Sequence, residues 1–210
     1  EATATTVVVV GDIKRGKSSL VNALIDRPGL LPVDADVATS VYLVVRSGSP
    51  ESIEVSRTLP DGTHRVEHID HAQLAAVASM AGDEASREGV SAVEVIIEHP
   101  LLERGLQIID TPGVGGMTRG HRDITMAALQ TADVLVFVVS VQEPVSRTEL
   151  EFLAEASERI GNVVIVATRA DLASSEANAA MIADTQARLA TLAAELADRP
   201  PAADDDAGDA

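Results

Sequence analysis

Cysteine and tryptophan are absent from the 210 residues of this sequence, and aromatic residues make up only 1 % of it. Without cysteine the chain can form neither a disulfide nor a thiolate metal site, which fits a cytoplasmic protein. Hydrophobic residues nevertheless account for 46 % of the chain. A domain of this length therefore has enough apolar material for a core, which has to consist of Val, Leu, Ile and Ala.

Positive charge is scarce as well: 16 Lys and Arg residues face 33 Asp and Glu residues, which leaves a formal net charge of −17. This balance argues against nucleic acid as a partner, because a binding surface needs basic side chains to neutralise phosphates. It also argues against adhesion to anionic lipid by charge alone. No apolar run approaches the roughly 20 residues needed to cross a bilayer, and no signal peptide is visible.

Apolar runs rich in β-branched residues recur along the chain, and several are separated by helical patterns. Such runs are typical of strands buried on both faces, and their alternation with helices predicts an α/β fold with a mainly parallel central sheet and helices on both faces. Helices are predicted over 18–25, 119–131 and 176–197, and a capping box from Ser146 to Glu149 opens another. The runs are TTVVVV (5–10), VYLVV (41–45), VEVII (93–97), LQIID (106–110), VLVFVV (134–139) and NVVIVAT (162–168).

Residues 46–91 differ from this pattern, since they carry the turn signals SGSP and PDGT, a short possible hairpin and a helical piece over 72–80. We interpret them as an insertion at the sheet edge, within a domain that spans 1–198. The Pro- and Asp-rich end, 199–210, is predicted to be a flexible acidic tail or linker. Because a strand follows almost directly on Glu1, the sequence is interpreted as a fragment of a longer protein.

The segment GDIKRGKS (11–18) fits the phosphate-loop pattern G-x-x-x-x-G-K-[ST]. Gly11 and Gly16 let main-chain N–H groups converge on phosphates, and the helix that follows adds its positive N-terminal dipole. Lys17 is predicted to reach the β- and γ-phosphates, and Ser18 to offer its hydroxyl to Mg²⁺. The cup of main-chain amides extends to Ser19. These features predict the three-layer fold of P-loop nucleotide hydrolases.

Both lysines of the chain, Lys14 and Lys17, lie in this loop. A compact ammonium fits inside a tight loop better than the broad guanidinium of arginine does, which accounts for Lys17. For Lys14 two interpretations stay open. It is either a solvated loop charge or, together with Arg15, a cationic finger for the charge that develops during phosphoryl transfer.

Two further motifs end apolar runs. Asp110-Thr-Pro-Gly113 places a carboxylate where it can hold a Mg²⁺-bound water, and the Gly113 N–H can turn toward a γ-phosphate. Thr168-Arg-Ala-Asp171 places Asp171 where it can accept hydrogen bonds from N1 and N2 of guanine, which adenine does not offer as a pair. The alternative for Asp171 is a helix N-cap.

The order GDIKRGKS, ATS, DTPG, TRAD resembles the GTPase superfamily. More narrowly, GKSSLVNAL with LLPVDADVATSVYLVVRSG, and later HPLLERGLQIIDTPGVGG, resembles the bacterial dynamin-like proteins. The resemblance implies that the ligands are GTP or GDP with Mg²⁺. It also implies that Thr39 is the switch threonine, with its hydroxyl on Mg²⁺ and its carbonyl toward the attacking water; a plain strand threonine is the alternative. Residues 113–122 correspond to the second switch.

The same resemblance implies GTP hydrolysis coupled to dimerisation across the nucleotide face, with a second copy or a related dynamin, and to membrane remodelling. The membrane would be reached through segments absent from this chain, from a cytoplasmic position at the inner face of the cell membrane. The fold would also supply one more strand and helix, with a guanine-covering loop, after residue 197.

Several residues depart from related patterns. Val114 stands where Ras-like enzymes have a water-orienting glutamine, and Ile13 stands where many dynamins have a polar loop residue. Arg169 replaces the usual lysine, although its flat guanidinium can still stack over the base. A nucleotide-gated binding module with weak hydrolysis is therefore an alternative. An Era-like ribosome-assembly GTPase is another, although it needs an RNA-binding surface.

Overall fold

The computed structural model describes residues 4–33, 41–78, 84–114 and 125–197. The strands are β1 (Thr5–Val10), β2 (Leu43–Ser47), β3 (Ser52–Thr58), β4 (His64–Ile69), β5 (Val90–Ile97), β6 (Leu106–Asp110), β7 (Val134–Ser140) and β8 (Val163–Thr168). The helices are α1 (Lys17–Leu24), α2 (His71–Ala78), α3 (Glu84–Arg87), α4 (Arg147–Ser157) and α5 (Ser175–Ala197), with a 3₁₀ turn at Ala170–Leu172. Residues 125–129 are also helical.

The eight strands form one sheet in the order β4-β3-β5-β2-β6-β1-β7-β8. β1 lies between β6 and β7 and is parallel to both, and β8 continues this parallel part beyond β7. β2 joins the sheet antiparallel to β6 and parallel to β5. All six predicted strand runs are strands, and the predicted α/β class with a mainly parallel sheet is confirmed.

Helices cover the sheet on both faces, and alternate residues of β1 divide between two cores. Val9 belongs to one core, whereas Val8 and Val10 belong to the other. Both phenylalanines of the chain, Phe137 and Phe152, are fully buried in the second core, and aliphatic side chains and alanine fill the remainder of both cores.

The segment with the different pattern forms the hairpin of β3 and β4, which pairs antiparallel with β5 and ends the sheet at β4. α2 follows the hairpin directly. His71 Nε2 lies 2.9 Å from the Leu30 carbonyl oxygen. This contact connects the start of α2 to the segment that follows α1.

β8 ends the sheet on the opposite side. Its side chains Val164 and Ile165 are 49 % and 38 % exposed, and because neighbouring residues of a strand point to opposite faces, both faces of β8 are partly uncovered. Among the described helices, none combines the length and the apolar character needed to span a membrane.

Candidate functional site

The carboxyl ends of the parallel strands bring three of the sequence motifs to one edge of the sheet. The phosphate loop follows β1, Asp110 is the last residue of β6, and Thr168 is the last residue of β8. In open α/β sheets ligands bind in the crevice at this edge. The order of the strands therefore collects the motifs at the position expected of a binding site.

Glycine is required at two positions of this edge because the main chains approach too closely for a side chain. A Cβ on Gly11 would lie 2.3 Å from the Val138 carbonyl oxygen of β7. A Cβ on Gly113 would lie 2.6 Å from the Ile13 nitrogen in the phosphate loop. Gly16 has a left-handed backbone, with φ 92°, at the N-cap of α1. Gly113 thus packs its main chain directly against the loop.

Lys17 is almost completely buried, with 7 % of its surface exposed. Its Nζ donates a hydrogen bond to the Asp12 carbonyl oxygen at 2.9 Å, within the loop itself. Burial lowers the pKa of Lys17, while the carboxylates of Asp110, Asp12 and Glu149 act in the opposite direction. A desolvated ammonium in this position can pair with an anionic partner.

The half-buried Ser18 and the fully buried Asp110 form a pair at the start of α1. The Ser18 hydroxyl donates to Asp110 Oδ2 at 2.5 Å. Burial raises the pKa of Asp110 to about 6, against the opposing effects of Lys17, of the Ser18 hydrogen bond and of the nearby Thr111 main-chain N–H. Among the described residues, Asp110 Oδ1 has no hydrogen-bond partner although it is buried. A hydroxyl oxygen and an unsatisfied carboxylate oxygen are suitable ligands for Mg²⁺ or for the water molecules bound to it. These residues therefore fit the ion.

Thr168 joins the phosphate loop to the end of β8. Its hydroxyl lies 2.5 Å from the Arg15 carbonyl oxygen and 3.0 Å from the Val139 carbonyl oxygen. The predicted base-reading segment and the predicted phosphate loop are therefore in direct contact. The hydroxyl itself is occupied by the scaffold.

Asp171 lies in the 3₁₀ turn that follows β8, with an exposed side chain. The alternative role as a helix N-cap is wrong, because the N-cap of this turn is Arg169. The following helix, α5, is capped by Ser174, whose Oγ accepts from the Ala177 N–H at 3.2 Å. Asn178 Nδ2 donates to the Ala170 carbonyl oxygen at 2.6 Å and so fixes the turn on α5.

Arg169 is exposed and has a left-handed backbone, with φ 60°. Its Nη1 donates to Gln142 Oε1 at 3.3 Å, which connects the turn after β8 to the segment after β7. The predicted stacking of this guanidinium over a base stays a prediction.

The structure contradicts the predicted cationic finger for Arg15. The residue is 4 % exposed, and its guanidinium is directed away from the loop cup toward the N-terminus of α4. It donates to both carboxylate oxygens of Glu149, to the carboxylate and carbonyl of Glu143, and to the Pro144 carbonyl. These contacts use all five donors of the guanidinium, so none is left for a phosphate. Its main-chain amide stays a predicted phosphate ligand.

Lys14 is exposed, and its backbone is left-handed with φ 61°. Such a backbone is uncommon for a residue other than glycine, and strained residues of this kind are enriched at functional sites. The role of Lys14 as a cationic finger stays a prediction. Ser19, the third residue of α1, is exposed, and its predicted contribution through the main-chain amide is likewise open.

The two switch segments lie outside the described residues, except for the beginning of the second. Thr39 and residues 115–124 belong to the part of the chain that the structure does not describe, and so do the tail residues 199–210. Val114 is buried, and its N–H donates to the Gly11 carbonyl oxygen at 3.2 Å. This contact holds the start of the second switch against the phosphate loop.

One residue of the site was missed by the motif analysis. Glu149 was interpreted only as the third helical residue of a capping box, yet it also binds Arg15. The two residues are 134 positions apart, and no spacing rule connects a loop residue with a helix start at that distance. The one available signal in the sequence is that a charged glutamate stands at a position where burial is expected. Glutamine would satisfy a capping box equally well, so the box alone does not explain the charge.

A family model described as the dynamin family matches residues 7–170. The chain belongs to the dynamin family. Isoniazid-induced protein IniA of Mycobacterium tuberculosis is 33 % identical over 166 residues, which cover 79 % of this chain and 26 % of IniA. The bacterial dynamin-like protein of Nostoc punctiforme is 25 % identical over 153 residues, which cover 70 % of this chain and 22 % of that protein. The chain thus spans about a quarter of the length of these relatives.

Solved structures agree on the fold. One chain of an oligomerised bacterial dynamin pair, described as sensing and tethering membranes, matches 92 % of this chain and 31 % of its own length, with a TM-score of 0.71 and 18 % identity. Era of Aquifex aeolicus, bound to GDP and aluminium fluoride, matches 89 % of this chain and 48 % of its own length, with a TM-score of 0.50 and 15 % identity. The bacterial dynamin-like resemblance is confirmed, and the Era-like alternative is weaker. A GTPase fold of this family implies guanine-nucleotide binding.

Proposed function

We propose that this dynamin-family domain binds GTP together with Mg²⁺ and hydrolyses it. The observation that carries the proposal is the Ser18–Asp110 pair at the start of α1, with one buried carboxylate oxygen that has no partner among the described residues. A buried unsatisfied carboxylate oxygen destabilises the protein unless a ligand completes it. Lys17, buried beside this pair, supplies the positive charge that the phosphates require.

Hydrolysis in this scheme is an in-line attack. The water oxygen bonds to the γ-phosphorus, the bond from that phosphorus to the bridging oxygen breaks with its electron pair left on GDP, and both protons of the water end on inorganic phosphate. Lys17 and the main-chain amides of the loop stabilise the charge on the phosphate oxygens. The Gly113 N–H holds the γ-phosphate, and the Thr39 carbonyl orients the water. Ser18, Thr39 and Asp110 would hold Mg²⁺, which would supply charge neutralisation on the phosphates.

Guanine selection is assigned to Asp171. Its carboxylate is exposed at the crevice edge, in a turn held by Asn178. A carboxylate there accepts hydrogen bonds from N1 and N2 of guanine, and a site that loses such a pair discriminates strongly against the base that lacks it. Arg169 and Thr168 frame this turn from the strand side.

The coupling of hydrolysis to dimerisation and to membrane remodelling is part of the same proposal. Its support is the family membership and the fold shared with an oligomerised bacterial dynamin pair. The partner would be a second copy or a related dynamin that meets the nucleotide face. Membrane contact would come from segments outside this chain, at the inner face of the cell membrane.

Titration with fluorescent GTP, GDP and ATP analogues tests nucleotide choice. We expect GTP and GDP to bind in the presence of Mg²⁺, and ATP to bind at least about 100-fold more weakly because its adenine cannot satisfy Asp171. Asp171→Asn should weaken GTP binding and favour xanthosine triphosphate, whose C2 oxygen accepts from the new amide. Equal binding of GTP and ATP by the unaltered chain would reject guanine selection.

Single-turnover release of phosphate separates a hydrolase from a binding module. We expect GTP to be converted to GDP and phosphate within one binding event, and Lys14→Ala to slow release while leaving GDP affinity within about threefold, as expected for a group that acts mainly in the transition state. Tight GTP binding without phosphate release would favour the binding module. An unchanged rate in Lys14→Ala would remove Lys14 from the mechanism.

A further inference from the structure

We propose that Arg15 and Glu149 form a positioning pair that holds the phosphate loop in its binding shape against the N-terminus of α4. The pair acts on nucleotide affinity through the loop backbone, without touching the nucleotide. This inference rests on the proposed function, since it concerns how the same site is held open. It also gives Arg15 a different role from the cationic finger that its position in the loop suggested.

Every N–H group of the Arg15 guanidinium donates to an oxygen of the protein itself. Its Nε and Nη2 donate to the two oxygens of Glu149, at 3.1 and 2.8 Å, in a bidentate arrangement. Its Nη1 donates to the carbonyl and the carboxylate of Glu143, and Nη2 also donates to the Pro144 carbonyl at 3.2 Å. Bidentate pairs fix direction as well as distance. The side chain therefore anchors the loop to the segment between β7 and α4.

Glu149 is held just as firmly on its own side. It is completely buried, and its Oε2 also accepts from the Ser146 N–H at 2.8 Å in the capping box of α4. Among the described carboxylates of α4, it is the one that is completely buried. A buried charge that loses its partner is strongly destabilising. The geometry therefore opposes any movement of Arg15 away from Glu149.

The loop backbone on either side of Arg15 is in a conformation that needs such support. Lys14 has φ 61° and Gly16 has φ 92°, so the residues on both sides of Arg15 are left-handed. Strained backbone persists only where the surroundings determine it. The Arg15 carbonyl is fixed as well, since it accepts from the Thr168 hydroxyl at 2.5 Å. Arg15 is thus held at its main chain by β8 and at its side chain by α4.

If the ion pair were merely structural, its loss would lower the stability of the protein but leave the nucleotide affinity of the folded protein unchanged. A positioning pair changes the shape of the loop, and with it the convergence of the main-chain amides on the phosphates. The difference is measurable on folded protein. The decisive readout is therefore nucleotide affinity well below the unfolding temperature of every variant.

The test compares Glu149→Gln with Glu151→Gln, the same chemical change two residues further along α4. Glu151 is exposed and pairs with the exposed Arg147, so its loss should be nearly neutral. Glutamine at 149 keeps the capping box, so α4 still begins at the same place. With fluorescent GDP at 15 °C, we expect Glu149→Gln and Arg15→Gln each to weaken binding on the order of tenfold, and Glu151→Gln to bind as the unaltered chain does.

The double variant, Arg15→Gln with Glu149→Gln, should bind no more weakly than either single variant, because both remove the same pair. Arg15→Lys, which keeps the charge and loses the fork, should fall between Arg15→Gln and the unaltered chain and also serves if Arg15→Gln does not fold. Folded variants that melt at a lower temperature but bind GDP as tightly as the unaltered chain would overturn this inference and leave the proposed function standing. An unaltered chain that binds no guanine nucleotide would overturn the proposed function together with it.

Discussion

At the scale of single residues, the burial of Asp110 destabilises the charged form of the carboxylate that we propose as part of the Mg²⁺ site. The carboxylate is fully buried, and only one of its oxygens has a hydrogen-bond partner among the described residues. Its pKa is about 6 against an ordinary value of 3.8, mainly because burial disfavours the charged form. The folded protein therefore binds a proton at Asp110 more readily than the unfolded chain does.

The consequence is a stability that falls as the pH rises from about 4 to about 6, and stays low above that range. We expect Asp110→Asn to stabilise the nucleotide-free chain at pH 7.5 by about 2 kcal/mol, because the amide carries no buried charge. The gain should shrink as the pH falls from about 6 toward 4, because the carboxyl group of the folded protein takes up its proton over that range, and it should vanish below about pH 3, where the group is neutral in both states. Urea unfolding of both chains across this pH range, without nucleotide or Mg²⁺, measures it.

Asp133→Asn is a suitable comparison, since Asp133 is a carboxylate directly before β7 but is exposed and accepts from the Thr6 N–H at 2.7 Å. Its replacement should be neutral or destabilising at pH 7.5. A loss of stability in Asp110→Asn at pH 7.5 would contradict the account, because it would mean that the charged carboxylate stabilises the empty site.

The sequence motifs predict several residues that the structure brings to one edge of the sheet, because each motif is local. Gly11, Lys17 and Ser18 lie within one turn and the helix that follows. Asp110 ends a strand and Asp171 follows one, and both strands are revealed by their apolar runs. The Arg15–Glu149 pair could not be predicted in the same way. It depends on how the β7–α4 segment folds back over the loop, which only the complete set of contacts determines.

At the scale of elements, the capping box of α4 illustrates a local signal with a distant effect. Ser146 Oγ accepts from the Glu149 N–H at 3.2 Å, and Glu149 returns a bond to the Ser146 N–H. The box was predicted from four residues and is confirmed. Because the same Glu149 binds Arg15, the capping box also positions the carboxylate that Arg15 of the phosphate loop contacts.

We expect Ser146→Ala to lower the free energy of unfolding by about 1 kcal/mol, the usual cost of losing an N-cap. Chemical denaturation measures this cost, and Ser175→Ala, at the exposed first residue of α5, provides the control with a change below about 0.5 kcal/mol. The Ser146 variant should also bind GDP slightly more weakly than the unaltered chain. A variant as stable as the unaltered chain would show that Glu149 and Arg15 hold the helix start without the hydroxyl.

At the scale of the whole molecule, the alternation of apolar runs and helices was sufficient to predict the class of the fold but not the order of the strands. Nothing in the run VYLVV (41–45) indicates that β2 lies antiparallel to β6 and parallel to β5. Pairings between distant strands depend on which faces bury each other, and a window of a few residues does not contain that information. The hairpin of β3 and β4 was accessible because its turn signals are local.

The overall charge makes a prediction about membranes that concerns this chain as a whole. With a net charge of −17, the chain is repelled by an anionic lipid surface, and the repulsion extends over about 10 Å at 0.1 M salt. We expect it to remain in the supernatant when vesicles of phosphatidylglycerol are sedimented, with or without GTP, at both 25 mM and 150 mM salt. Vesicles of phosphatidylcholine, which carry no net charge, provide the control.

Pelleting that strengthens with anionic lipid and weakens with salt would reveal a basic face that outweighs the net charge. Pelleting that is independent of salt and of lipid charge would instead point to exposed apolar side chains, of which Val164 and Ile165 on β8 are the first to replace by threonine.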